Sequence, residues 1–376
     1  MSLSICMVTR DAEQSIGLLL RSVAPLRAEV IVADTGSRDG TVQVARSLGA
    51  SVRGIAWQDD FASAQNLALE RATGDWVLWL HPDEEVLPAG LAHLPDLLAR
   101  PDAFAYGVRI QEVMDPEQPD GAPEVLRSRL FRRHPAVRFA GRLHPHFATP
   151  LETIARQENG HLFMSDLVVR HHAYLSVLTE DKLRWANRLL ELELQDRPGQ
   201  LHYLIEYGRN LLRLDDPRGH SVLAEAADLV LASANAPQPP TSTVASLLEY
   251  VLTVSPEQSR CRLTTQQAVL LVRQWFFSSP PLLWLLSQRA FGAEDYQDAA
   301  ALLERLVHLG RMKTYDPTAA FDPSIMAEPA FVNLGNCYLR LEDPARAETY
   351  YTLALSSPAH QAQARQGIAR ARAAQA

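Results

Sequence analysis

Cysteine is scarce in this chain. Only Cys6, Cys261 and Cys337 occur among 376 residues, and no two are close in sequence. That spacing excludes a disulfide framework and a paired-cysteine zinc knuckle; the expectation is three thiols in a reducing compartment. Long apolar runs are missing too. The most apolar stretch, "QWFFSSPPLLWLLS" (274–287), is broken by serines and prolines. It falls short of the roughly 20 apolar residues that a membrane helix needs. The opening "MSLSICMVTRD" has no basic region of the kind that starts a signal peptide. The expected protein is soluble and cytoplasmic, without a membrane span. Positive charge has no surplus: 36 Lys and Arg face 44 Asp and Glu, for a net charge of -8. Nucleic acid is therefore not an expected partner, and nothing attracts the chain as a whole to anionic lipid. No GxGxxG follows the first apolar run, which removes the dinucleotide-binding reading. Six of the twelve histidines fall between His134 and His172, but no HExxH appears among them, which removes the obvious zinc-hydrolase reading.

What is present is an ample apolar fraction, 47%, with 21% charged residues. A chain of this length and composition supports two or three packed domains and is not globally disordered. The first part alternates. "LSICMVT" (3–9), "EVIVADTG" (29–36), "SVRGIAW" (51–57) and "DWVLWL" (75–80) read as strands. "EQSIGLLLRSVAPL" (13–26), "DGTVQVARSLGA" (39–50) and "FASAQNLALERAT" (61–73) read as helices between them, with Asp39 as an N-cap and Gly74 closing the third. This rhythm predicts an α/β fold built on a parallel, doubly wound sheet. In such sheets ligands sit beyond the carboxyl ends of the strands.

Past residue 100, "FAYGVRIQEVM" (104–114), "EVLRSRLFRRHPAVRFAGRLHPHF" (124–147) and "LVVRHHAYL" (167–175) read as longer, mixed strands and loops. From residue 179 onward the periodicity is helical. Helix 180–198 is amphipathic. Three helix-turn-helix pairs follow over 201–232, 282–310 and 329–358, turning at Asp216-Pro217, Glu294-Asp295 and Asp343-Pro344. Leu334-Gly335, Tyr338, Ala345, Tyr351, Ala354 and Pro358 follow a tetratricopeptide pattern, which predicts stacked helix pairs with a concave face. The expected linkers are 232–243 and 313–324. The predicted division is a domain over 1–178 and an all-α array over 179–376.

Two strand ends carry the candidate chemistry. "VIVADTGSRDGT" (30–41) delivers Asp34 at a carboxyl end. There it can accept from a uracil N–H or a ribose hydroxyl, or simply form the turn. "WVLWLHPDEEVL" (76–87) runs from an apolar strand straight into His81, Pro82, Asp83, Glu84 and Glu85. "RSRLFRR" (127–133) adds four arginines that can meet diphosphate or line a solvated strand edge.

The ordered motifs "ADTGS-DGT", "FA-A-N-A" and "ATGDWVLWL" followed by acids resemble a family 2 glycosyltransferase of GT-A fold. They resemble in particular the bacterial subgroup whose catalytic domain, Rossmann-like and built for sugar nucleotides, precedes tetratricopeptide-like repeats. "RLFRRHPAVRFAGRLHPHF" and "VVRHHAY" are similar to that subgroup's later motifs. The resemblance implies transfer from a nucleotide sugar, a UDP-sugar, to a peptide, protein or glycan, with inversion. It implies that Thr9, Arg10, Asp34, Asn66, His81 and Arg129 hold the nucleotide sugar. It also implies that Asp83 and His171 hold a divalent cation, Mn²⁺ or Mg²⁺. A carboxylate base is required for such a transfer, and Glu84 and Glu85 are the candidates; either can equally be a helix-start carboxylate. Three positions depart from the family pattern: His81 stands for its first Asp, Gln65 for an Arg, and Pro145 for a Glu. These departures support an alternative, a degenerate domain serving as a scaffold that binds partners through its repeats.

Overall fold

The computed structural model describes residues 1–113, 115, 122–172, 179–233, 241–254, 261–317 and 321–375. Residues 173–175 of the expected exit loop, and parts of both expected linkers, lie outside them. The chain divides into two compact units, Met1–Pro198 and Gly199–Ala376.

The first unit is built on one sheet. Strand β1 (Leu3–Thr9) runs parallel between β2 (Glu29–Asp34) and β4 (Trp76–Trp79), and β3 (Ser51–Gly54) flanks β2 in parallel. Beyond β4 the sheet becomes mixed. Strands β7 (Glu124–Arg132) and β6 (Ala103–Glu112) pair antiparallel, β10 (His161–His171) joins β6 in parallel, and β5 (Glu84–Val86) closes the edge antiparallel to β10. The strand order is β3-β2-β1-β4-β7-β6-β10-β5. The doubly wound parallel reading holds for the first four strands, and the mixed reading for the rest. Residues 139–147 add a small antiparallel pair, β8 (Phe139–Ala140) with β9 (His146–Phe147).

Helices cover both faces: α1 (Ile16–Val23), α2 (Thr41–Ser47), α3 (Phe61–Leu69), α4 (Pro88–Leu91), α5 (Leu94–Ala99) and α6 (Leu151–Gln157). The strand period of two sorts the apolar side chains between two cores. Ile5, Met7, Trp76 and Leu78 pack with Leu19 and Leu98 on one face. Cys6, Ile31, Val77 and Trp79 pack with Ala68 and Ile154 on the other. Both faces being dry explains why the central strands read as unbroken apolar runs. It also leaves only strand ends and loops to carry polar chemistry. Burial raises the Cys6 thiol to about 12, so it remains a core thiol at neutral pH.

Local details depart from the expected pattern. Glu84 and Glu85 do not start a helix; their backbone pairs with His171 and Arg170 of β10. Asp39 stands one residue too early to be the N-cap. Gly40 holds that position, and Asp39 Oδ1 instead accepts from the Thr41 N–H at 3.0 Å. The third helix ends at Leu69, four residues sooner than its periodicity implied, and is capped by Asp60, which accepts from Ser63 N at 3.1 Å.

Helix α7 (Glu180–Asp196), placed by the sequence reading in the helical array, falls within the first unit. The Arg142 N–H donates to the buried Glu193 at 2.9 Å, and Arg142 pairs with Asp196 at 2.6 Å. Trp185 packs on Trp57 and Phe61, with ring centroids 6.1 and 5.9 Å away.

The second unit is helical. Three of its helix pairs are Leu201–Arg213 with Arg218–Ser233, Pro280–Gly292 with Tyr296–Met312, and Glu328–Arg340 with Pro344–Leu353. Each pair turns in the same way. A residue with positive φ (Asp215, Glu294, Glu342) reverses the chain. The next residue is an Asp whose N–H reaches back to the carbonyl of Leu211, Ala290 or Tyr338, at 2.9 Å in every case. That Asp side chain then accepts from the start of the second helix, at Arg218, Asp298 or Arg346. This is the 6→1 closure of a Schellman motif run directly into an N-cap. In the last pair Leu334, Tyr338, Tyr351 and Ala354 are buried as the pattern implied. Ala345 is exposed, and Ala347 takes the buried small-residue place.

Candidate active site

The parallel strands β1, β2 and β4 all end on one edge, and β6 and β10 end there too. This carboxyl edge gathers Thr9, Asp34, His81, Asp83, Glu112 and His171 by chain direction alone. Because β7 runs the opposite way, Arg129 lies level with the end of β4 and reaches Glu84, while Arg132 and Arg133 lie toward the far end, donating to the carbonyls of Ala103 and Gly74. The four arginines of 127–133 therefore do not form one cluster.

Asp34 is 5% exposed and its carboxylate is already engaged. Oδ2 accepts from Gly36 N and Ser37 N, both at 3.1 Å, and Oδ1 from Ser37 Oγ at 2.5 Å. This is an Asx turn, with Gly36 at φ +102° supplying a backbone conformation that other residues reach with strain. The loop after it is latched to the loop after β1: Asp11 N donates to Ser37 Oγ, and Arg38 N to Asp11 Oδ1 at 2.7 Å. Thr9 lies beside Asp34 in register. Its hydroxyl is buried without a hydrogen-bond partner among the described residues. Arg10 is half exposed next to Asp11.

A buried ion pair fixes the start of the acidic loop. Glu84, 1% exposed, accepts from Arg129 at 3.0 Å through Oε1 and from the His81 backbone N–H at 2.7 Å through Oε2. Arg129 also reaches His81 Nε2 at 3.1 Å, which assigns that nitrogen as the acceptor and Nδ1 as the protonated one. Burial and the adjacent Arg129 charge depress the His81 pKa to about 4, so the imidazole is neutral at physiological pH. Glu85 points the other way from Glu84 along β5 and retains 28% side-chain exposure. It lies 3.3 Å from His172 Nε2.

The second cluster links three backbone segments. Asp83 Oδ2 lies 3.2 Å from His171 Nε2, and Glu112 Oε2 lies 2.5 Å from His171 Nδ1. Burial opposes the imidazolium, but the two carboxylates overcome it and raise the His171 pKa to about 10. Burial alone would raise Asp83; the hydrogen bond and charge of His171 hold it below the ordinary carboxylate value instead. Among the described residues no set of three His, Cys, Asp or Glu side chains is arranged around one metal position. Asp83 Oδ2 and His171 Nε2 share a hydrogen bond at 3.2 Å; a cation that displaced its proton would find a carboxylate oxygen and an imidazole nitrogen about as far apart as neighbouring octahedral ligands. An imidazole whose far nitrogen is held by a carboxylate is the usual outer support of such a ligand.

The remaining expected residues are placed as follows. Both amide atoms of Asn66 are engaged by the backbone of Phe139, each at 2.9 Å, which ties the β8 loop to α3. Gln65 is buried, and its Oε1 has no partner among the described residues. Pro145 follows His144, which has φ +44°, and supplies no carboxylate. Glu112 was not anticipated. It ends a strand on an acidic residue, just as Asp34 does, and that shared signal was available in "VRIQE". A hollow of about 580 Å³ lined by Glu152, Arg156 and His161 lies away from this edge.

Residues 4–158 match the family model described as glycosyl transferase family 2. That match covers the N-terminal part of the chain. The domain's strand order and the repeats that follow agree with the architecture implied by the motifs. A TPR repeat-containing protein of Synechococcus elongatus is 34% identical over 221 residues, 57% of this chain and 53% of the relative. An uncharacterized glycosyltransferase of Rickettsia typhi is 34% identical over 84 residues, 22% of this chain and 28% of the relative. The chain thus spans about half or less of the curated relatives it matches. Among solved structures, S. aureus TarS 1–349 superposes with a TM-score of 0.39 at 16% identity, covering 73% of this chain and 92% of that one. No described helix is long and apolar enough to cross a membrane.

Proposed function

We propose that this protein is an inverting glycosyltransferase of the cytoplasm, moving a sugar from a UDP-sugar to a peptide, protein or glycan acceptor. The single observation that supports this most is the Asp83–His171–Glu112 chain at the carboxyl edge of a family 2 domain. Asp83 and His171 would hold Mn²⁺ or Mg²⁺. When bound, that ion offsets charge on the departing diphosphate. The free hydroxyl of Thr9 and the side chain of Arg10 stand next to the Asp34 turn, where a nucleoside would sit. Asp34 shapes that turn and would contact the nucleoside through what its own hydrogen bonds leave open. His81 Nδ1 lies 3.5 Å from Glu84 Oε1, so a ribose oxygen would share that N–H with Glu84. Of the two candidate bases, Glu85 fits better: it is accessible, whereas Glu84 spends both oxygens on Arg129 and His81.

Purified protein with Mn²⁺ and a panel of nucleotide sugars should release nucleoside diphosphate, and Asp83→Ala should abolish the release. No turnover and no binding of any donor would end this reading. One set of observations favours a second one: Asp34 and Arg129 are both consumed by internal contacts, and His81 replaces an acid. A degenerate domain that serves as a scaffold through its repeats would then show no metal-dependent binding of UDP in a calorimetric titration.

A further inference from the structure

We infer that Glu112 is a positioning residue for the cation pair, setting the tautomer and the aim of His171. The inference rests on the cation reading above and extends it to a residue outside every recognised motif. The geometry comes from the sheet. Glu112 and His171 are register partners on the parallel strands β6 and β10, so their side chains stand side by side. The end of β10 is pegged from both sides: Val113 N donates to His171 O at 2.9 Å, and His172 N to Asp83 O at 2.9 Å. Glu84 pairs with His171 across β5. Three backbone segments therefore hold Asp83, His171 and Glu112 in fixed relation.

An imidazole offers one lone pair when neutral, and its other nitrogen carries the proton. With Glu112 2.5 Å from Nδ1, that nitrogen donates to Glu112, while Nε2 donates to Asp83 at 3.2 Å. A cation that displaced the Nε2 proton would find the lone pair there, with the Nδ1 proton still held by Glu112. Without Glu112 the ring is free to choose the other tautomer or to rotate. The neighbouring polar residues do not compete for this role. Gln111 donates to Glu124 at 3.0 Å and accepts from Arg170 at 3.2 Å, forming a separate polar row across β7, β6 and β10. Glu112 itself keeps 29% side-chain exposure, so the core does not depend on it.

The test is Mn²⁺ titration of the full chain without donor, read by the electron paramagnetic resonance of free Mn²⁺. Glu112→Ala should weaken binding about 10- to 100-fold. Glu112→Gln keeps an acceptor oxygen but not the charge and should fall between Glu112→Ala and the wild type. Ring ¹⁵N shifts of His171 at Mg²⁺ saturation should show one Nδ1–H tautomer in the wild type and a mixture in Glu112→Ala, a change that loss of packing alone does not produce. If Glu112→Ala proves unstable by thermal melting, Glu112→Gln decides. Binding within twofold of wild type, with the single tautomer kept, overturns the inference and leaves the cation reading standing. A wild type that binds no Mn²⁺, or an Asp83→Ala variant that binds it equally well, removes the cation reading and the inference with it.

Discussion

Glu84 and Glu85 are adjacent, alike in charge and opposite in circumstance. Their difference comes from β5: strand alternation turns Glu84 inward to Arg129 and leaves Glu85 at the surface. Glu84→Gln removes one partner of a buried ion pair, which costs about 3–5 kcal/mol when the other charge stays behind. Its melting temperature should drop by many degrees, and a shift of only a degree or two would contradict the pairing. Glu85→Gln should leave the melt almost untouched and lower kcat by about 10²- to 10⁴-fold, the usual contribution of a positioned base. Unchanged kcat would remove Glu85 from the mechanism. Neither assignment was legible in "DEEV" because the pattern contains no partner strand. Asp34 shows the converse. Its place at a strand end was readable, but the closure of its carboxylate on Gly36 and Ser37 depends on how that loop folds back.

At the scale of elements, two devices lend themselves to measurement. In the last helix pair the Tyr351 ring is buried against Gly335, and a Cβ at Gly335 would lie 2.6 Å from it. Gly335→Ala should destabilise the chain by about 1–3 kcal/mol through overpacking; denaturant unfolding that matches the wild type would refute the close approach. The second device ties the start of β2 to its neighbours. Glu29 accepts from Ser4 Oγ at 2.6 Å, and from Thr73 N and Oγ1 at 3.0 and 2.9 Å. Burial works against its charge, but these bonds prevail and lower its pKa below 4.5. A carboxylate with a depressed folded pKa contributes stability above its unfolded pKa and loses it as pH falls through the folded value. The stability gap between wild type and Glu29→Gln should therefore be widest near neutrality and close in acid, below about pH 4. A gap that stays constant from pH 7 to pH 3 would show that the charge is not involved. The helix-turn-helix pairs themselves were legible, since Asp before a helix and an apolar 3.6 period are local signals. The positive φ at Asp215, Glu294 and Glu342 was not, because nothing in an acidic side chain announces it.

For the whole molecule, the position of α7 decides where the first unit ends. A fragment of residues 1–198 keeps Glu193 under Arg142 and Trp185 on Trp57; a fragment of residues 1–178 loses both. The longer fragment should unfold cooperatively and melt well above the shorter one. Equal melting temperatures would return the boundary to residue 178.

Local pattern determined much of this protein. Apolar runs with strand period, helices between them and turn residues at their ends sufficed for a sheet with parallel strands. Strand ends carrying acids sufficed to place Asp34 and Asp83 on one edge, and repeated Asp-Pro turns sufficed for paired helices. Such features depend on neighbours in sequence, so they can be read residue by residue. Tertiary structure alone decided the rest: Arg129 on Glu84, Glu112 behind His171, Asn66 clasping Phe139, and α7 docked on Arg142. Each of these joins groups 45 or more residues apart in the chain. Contacts of that kind follow from strand order and register, which arise only when the sheet closes.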